Sequence, residues 1–581
     1  MQWTKPISVV GASLLLSLAA CGGGSDTDPS DSASEGGGFT EGGNAGAGQN
    51  PDLQAPAVPI EGATEGGTVS VLSFSGLTTM DPAEAYYTNT AAILSDLNVR
   101  SLTQYRFVEG EQELVPDIAT DLGTPNEDYT VWEYTIRPGV RYEDGAEVTC
   151  DDFIYGIKRS MDRKQFPGGA SYSNDYFLGG DTYGGAYTDP KGKFEAATCD
   201  GDTLTINMAK PFPDMPYWGA FPAISPVPEG KADDPAEYAL HPLATGPYMF
   251  DAYKPGKTLT LVQNTEWDPE TDPARHQYVD GYDMDFDTQS KIIDQTIISD
   301  NGDAQTTLTY DNVLQSDRQA AEDTGRLVVG SQPCTFLAWP DYEEISDINV
   351  RKALGYAWPY VDSWVAAGEI VGLTRVPGTN FIPPGTPGRD EEYDILGNGG
   401  EETDTAKAKQ MLTDADALGT EIKFLYIADD PNNVAAKDQI VRSLEEAGFK
   451  ASPVAAADAV EYAELRSDFT NDLTLRTGGW CSDWPSGASW IPPLFTKGSG
   501  VNYGQFVEPA VEKEIKRIQL LPLEEQPAAW SALDKEISEK YYPAVNTGYG
   551  GVAMLHGSKV MNMENNNVFG MPTFKDIWLQ Q

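Results

Sequence analysis

The 581 residues predict an α/β protein, β-rich in the first half and alternating strand with helix in the second. Two patterns carry that expectation. Near the start, Val69, Val71 and Ser73 alternate with Ser70, Leu72 and Phe74, the period of a half-buried strand. Later, Ile422–Ile427, the stripe Ile440, Val441 and Leu444, and Phe449–Val454 read as strand, helix and strand. Such a βαβ unit needs parallel pairing covered by helices. The 58 Gly and 40 Pro add many irregular connections, where recognition concentrates.

The elements follow in chain order. Trp132, Tyr134 and Ile136 share one face of a strand, and Pro138-Gly139 and Asp144-Gly145 then turn the chain. Thr149-Cys150-Asp151-Asp152 reads as a capping box ahead of Phe153, Ile154 and Ile157. Leu204, Ile206 and Met208 alternate, as do Leu259 and Leu261. Asp347 is placed to cap a helix striped by Val350, Ala353, Leu354, Ala357 and Trp358. Ala406 to Leu412 is a further short helix, and Gly448 stops the helix of the βαβ unit.

Residues 1–21 stand apart from the fold. Lys5 supplies a thin positive region, and Ile7 to Leu18 an apolar run too short to span a bilayer as a mature helix. Leu18-Ala19-Ala20-Cys21-Gly22 resembles a bacterial lipobox. That resemblance implies export, cleavage before Cys21 and a diacylglycerol on its sulfur. Residues 22–66, rich in Gly, Ser, Asp, Pro and Ala, read as a disordered acidic tether, because they carry too little apolar surface to offset ordering entropy. No later apolar run reaches about 18 residues, so the membrane is met through the anchor only.

With Cys21 set aside, Cys150, Cys199, Cys334 and Cys481 remain. In an oxidising compartment they suggest two disulfides, with three connectivities open. Three scattered histidines (His241, His276 and His556) and the lack of CxxC argue against a metal site. Against 39 Lys+Arg stand 89 Asp+Glu, a net charge of −50. That balance excludes nucleic acid as a partner, since phosphate neutralisation needs clustered Lys/Arg. It leaves a solvated acidic surface with a mild attraction for cations. There is no P-loop, HExxH or GxSxG, and nothing in the sequence asks for catalysis or a cofactor.

A longer series of segments runs in order through the chain: Met80-Asp81-Pro82-Ala83, Leu114–Ala119, Trp132–Val140, Asp144-Gly145, Val148-Thr149, Asp152-Phe153, Thr245–Tyr248, Asn264–Trp267 and Asn349–Leu354. Together they resemble the family-5 extracellular solute-binding proteins, the oligopeptide- and dipeptide-binding group of ABC importers. The resemblance covers essentially all of 67–581. It implies a two-lobed, periplasmic-binding-protein-like fold of type II, with an additional domain inserted in the first lobe. On that analogy lobe I comprises 67–100, 196–333 and 546–581, the extra domain 101–195, and lobe II 334–545.

Gly479-Trp480-Cys481-Ser482-Asp483-Trp484 is similar to the family segment whose Asp receives a peptide α-ammonium. Carried over, Asp483 takes that role, Gly479 and Cys481 offer backbone contacts, and Trp480 and Trp484 wall side-chain pockets. A carboxylate suits this because it accepts charge-assisted hydrogen bonds; unpaired in a dry cleft it would be costly, so the free cleft is expected open and wet. Tyr86 and Tyr87 lie where the family's first lobe borders the ligand. The same resemblance pairs Cys334 with Cys481 and leaves Cys150 for Cys199. Where some members carry a basic residue two positions before the Gly-Trp, this chain has Thr477, with Arg476 one residue off. The implied protein is a monomeric, non-enzymatic receptor that passes peptides to permease subunits powered by separate ATPase subunits. Relatives that bind nickel, haem or oligosaccharides supply the alternative ligands, and a secreted hydrolase the alternative class.

Overall fold

The structure is a computed structural model that describes residues 48–108 and 111–581. The leader 1–21, Cys21 and the first part of the expected tether lie outside the described residues. The remainder of that tether is ordered against the fold, which corrects the expectation for 48–66. Gly48–Gln49 pairs in parallel with Glu113 and Leu114. Ala57 N donates to Asp272 O at 2.9 Å, and the Thr64 hydroxyl to Leu579 O at 2.7 Å. Composition hid this strap because backbone groups, not apolar side chains, make its contacts.

The first strand, Thr68–Leu72, turns Val69 and Val71 into the core as its period requires. It sits in a five-stranded mixed sheet between Thr307–Leu308 and Gly281–Asp285, both parallel to it. Thr258–Gln263 and Tyr248–Lys254 continue the sheet in antiparallel pairing. A second, four-stranded sheet is built on Val131–Thr135, whose Trp132 and Tyr134 face Ile206 and Leu204 across the ladder. Helix Cys150–Ser160 packs on it. The expected capping box is present there, with Thr149 N donating to Asp152 Oδ2 at 2.8 Å. The disulfide Cys150–Cys199 ties this helix to strand Ala197–Asp200. That strand, Thr203–Asn207 and Thr124–Pro125 complete the second sheet, which a boundary at 195/196 would divide.

One large core draws on Val69 through Tyr310 and returns for Val552 through Leu579. Within it Arg100, Arg275, Asp117 and Asp272 form a buried ion network, Arg275 Nη1 lying 2.9 Å from Asp117 and 3.2 Å from Asp272. Burial opposes charge on Asp272, but the two guanidiniums hold its carboxyl well below the usual range.

Two long strands, Leu327–Pro340 and Val545–Leu555, run from this part into the rest of the chain. They pair antiparallel at 327–331 with 551–555 and again at 335–338 with 545–549, with a register break between. Leu475–Cys481 pairs with the far end, setting Cys334 opposite Cys481, and the second disulfide joins them. The βαβ unit appears as expected: Glu421–Ile427 and Lys450–Ala456 are parallel, and Asp430 caps helix Pro431–Glu446. Asp347 caps helix Ile348–Ala357 through Asn349 N. That helix ends one residue short of the expected stripe. Trp358 is extended because Pro359 disfavours helical backbone before it.

Candidate functional site

Strand Leu475–Cys481 carries the Gly-Trp-Cys segment to the seam between the two halves. Gly479 suits the close packing there: a Cβ would lie 3.0 Å from the Phe336 ring and 3.1 Å from Thr335 O, so a larger residue would press on both. Cys481 is fixed by its disulfide, and Ser482 N donates to Pro333 O at 2.8 Å, which aims the next residue out of the ladder.

Asp483 therefore projects across the seam. Its Oδ2 accepts from the Tyr86 hydroxyl at 3.0 Å and from the Tyr172 hydroxyl in a shorter contact. Tyr86 precedes helix Thr88–Ile93, and Tyr172 opens the short helix Tyr172–Tyr176. Asp483 stays partly open to solvent, yet protein surrounds it closely enough that burial pushes its carboxyl up to about 6, against the pull of the two hydroxyls. Burial, and then the charge of Asp483, push both phenols well above 10. Two internal donors satisfy the Asp483 carboxyl at Oδ2.

Trp484 is the second bridge. It is 2% exposed, 4.6 Å from the Tyr172 ring, and its indole donates to Asp214 Oδ2 at 2.8 Å. Most of the Trp484 surface is packed in the core, and the remainder borders a crevice at the seam. Asp214 is equally buried, and burial pushes its carboxyl up to about 6. Trp480 is half-buried against the second half, its indole donating to Ser489 O at 2.9 Å. The Tyr87 carbonyl accepts from Ala91 N at 2.8 Å, starting the helix behind Tyr86.

Of the expected residues, the structure brings Asp483, Tyr86 and Trp484 together and sets Gly479 and Cys481 on the strand beside them. Trp480 is turned to the neighbouring core. Arg476 is buried and donates to Asn471 Oδ1 and the Leu473 carbonyl, so it does not replace the missing basic residue at Thr477. Tyr172 and Asp214 were missed. Neither has a local signature, since each reaches its partner over 270 residues or more.

The profile of bacterial extracellular solute-binding proteins, family 5 Middle, matches residues 113–502. The chain belongs to that family. Periplasmic oligopeptide-binding protein OppA of Salmonella typhimurium is 20% identical over 400 residues, covering 67% of this chain and 71% of the relative. Periplasmic murein peptide-binding protein MppA of Escherichia coli is 22% identical over 444 residues, covering 75% and 78%. Among solved structures, Clavulanic acid biosynthesis oligopeptide binding protein 2 superposes with a TM-score of 0.79 at 21% identity, covering 93% of this chain and all of the other. The fold is thus the two-lobed fold of family-5 binding proteins. Among the described residues no helix is long and apolar enough to cross a membrane, and no cluster of His, Cys, Asp and Glu could hold a metal ion.

Proposed function

We propose that this family-5 protein is the peptide-capturing receptor of an ABC importer, held at the membrane by a lipid on Cys21 and delivering its cargo to a permease. The observation that supports this best is Asp483, a carboxyl displayed at the seam and held by two neutral hydroxyls. A peptide α-ammonium entering the parted lobes takes over those hydrogen bonds and adds a full charge, making the charge-assisted contact that hydroxyls cannot. The peptide main chain then lies along strand Leu475–Cys481, as in strand addition. The lobes close by bending the two crossover strands. The names of the relatives, which bind oligopeptides and murein peptide, agree with this reading. A Helicobacter pylori DppA structure that holds the peptide STSA shares the fold at a TM-score of 0.67. We place the extra domain at about 101–208, because its sheet ends at Asn207.

Native mass spectrometry of the protein carrying Cys21→Ala, followed by identification of what denaturation releases, tests the assignment. Heterogeneous short peptides with free N-termini are expected, and Asp483→Ala loses most of them. Release of a sugar, a metal chelate or one non-peptide compound refutes peptide capture while leaving the receptor role standing.

A further inference from the structure

Next to the Asp483 contacts, a narrow crevice runs along the seam and shares Tyr172 and Trp484 with them. Tyr172, Tyr176 and Phe212 wall it from the first half, Trp484 and Gln519 from the second, and Asp214 lies at its base. The walls are mutually packed aromatics: Tyr176 and Phe212 stack at 4.1 Å, and Tyr172 lies 4.6 Å from Trp484.

Asp214 is over nine-tenths buried and only half satisfied. Its Oδ2 accepts the Trp484 indole, but Oδ1 has no hydrogen-bond partner. The Ser486 hydroxyl is a second, weaker donor to the carboxyl, and among the described residues no cationic group acts on it. A carboxylate left so is costly in a low-dielectric seam unless a cation completes it. Aromatic faces around a carboxylate are the arrangement that holds such a cation, because the ring quadrupoles add to the charge. This aromatic wall already accepts one: exposed Lys210 sits 4.1 Å over the Tyr176 ring.

We infer that this crevice is a specificity subsite for a basic side chain of the captured ligand, an ammonium or guanidinium seated against Tyr172, Tyr176 and Trp484 with Asp214 Oδ1 as its counter-charge. The inference rests on the peptide-capture reading. Because the walls come from both halves, the side chain enters while the lobes are apart and is enclosed as they meet. The net charge of −50 favours the approach of cationic ligands to the protein as a whole.

The test uses calorimetry at pH 7.5 on the full chain and on Asp214→Asn, which keeps an amide oxygen for the Trp484 indole. The probes are alanine-based tri- to pentapeptides carrying one lysine at each position in turn, each matched to its norleucine counterpart. At one position lysine is expected to bind at least about tenfold tighter than norleucine. Asp214→Asn should bring the affinity ratio of each lysine peptide to its norleucine counterpart down to about one. Peptides bound with no lysine preference at any position, or with a preference that survives Asp214→Asn, overturn the subsite and spare the peptide reading. Failure of every peptide to bind the unaltered chain overturns both.

Discussion

Replacing Asp483 with Asn should stabilise the protein, and only at neutral pH. The folded chain raises this carboxyl from 3.8 to about 6, so it binds a proton more tightly folded than unfolded. Stability from this group is therefore fully present below about pH 4 and is lost as pH rises through about 6. The difference corresponds to about 3 kcal/mol. Asn is neutral at every pH and still offers an oxygen to the Tyr86 and Tyr172 hydroxyls, so it escapes the loss. Urea unfolding of both forms at pH 4 and pH 7.5 reads this out as a double difference, in which the other carboxylates cancel. The Asn form should gain about 2.5 kcal/mol relative to the unaltered chain on going from pH 4 to pH 7.5, since the unfolded carboxyl is already partly ionised at pH 4. An equal offset at both pH values, or none, would refute the claim that the seam is closed around a desolvated charge. The same variant should be poor at holding peptides, since an amide gives an ammonium no counter-charge. Greater stability with weaker binding is the trade expected of a strained site.

Two further outcomes follow from the core. Arg275→Met leaves Asp117 and Asp272 sharing one guanidinium and should cost about 3–5 kcal/mol in urea unfolding, because breaking a buried ion network strands its charges. Joint substitution Cys150→Ala with Cys199→Ala opens a loop whose ends are 49 residues apart; chain entropy sets the loss at up to about 4 kcal/mol, again by urea unfolding.

What the sequence disclosed was whatever its local neighbours determine. The Trp132, Tyr134 and Ile136 face, the Thr149–Asp152 box, the Asp347 cap and the βαβ unit all appear because period and capping are settled within a few residues. The strand end at Asp483 was legible through a motif. Its partners were not: Tyr86 is 397 residues away and Tyr172 is 311, distances at which pairing is decided by the whole fold. Asp214 was one acid among 89 Asp+Glu, and only its burial sets it apart. The strap at 48–66 escaped notice for the opposite reason. Its composition is that of a loose chain, while its backbone docks onto an existing sheet edge.

The crossover strands are interrupted twice, and the extra length lies on opposite partners. Ser331 to Thr335 opposes the shorter Gly551 to Tyr549, whereas Phe336 to Leu337 opposes the longer Gly548 to Asn546. Each strand therefore carries one bulge, and the two sit a few residues apart, the first of them spanning Cys334, which is bonded to Cys481. Bulges bend and twist a ladder locally, so the connection between the halves is kinked at two offset places while the disulfide holds the strand that leads to Asp483.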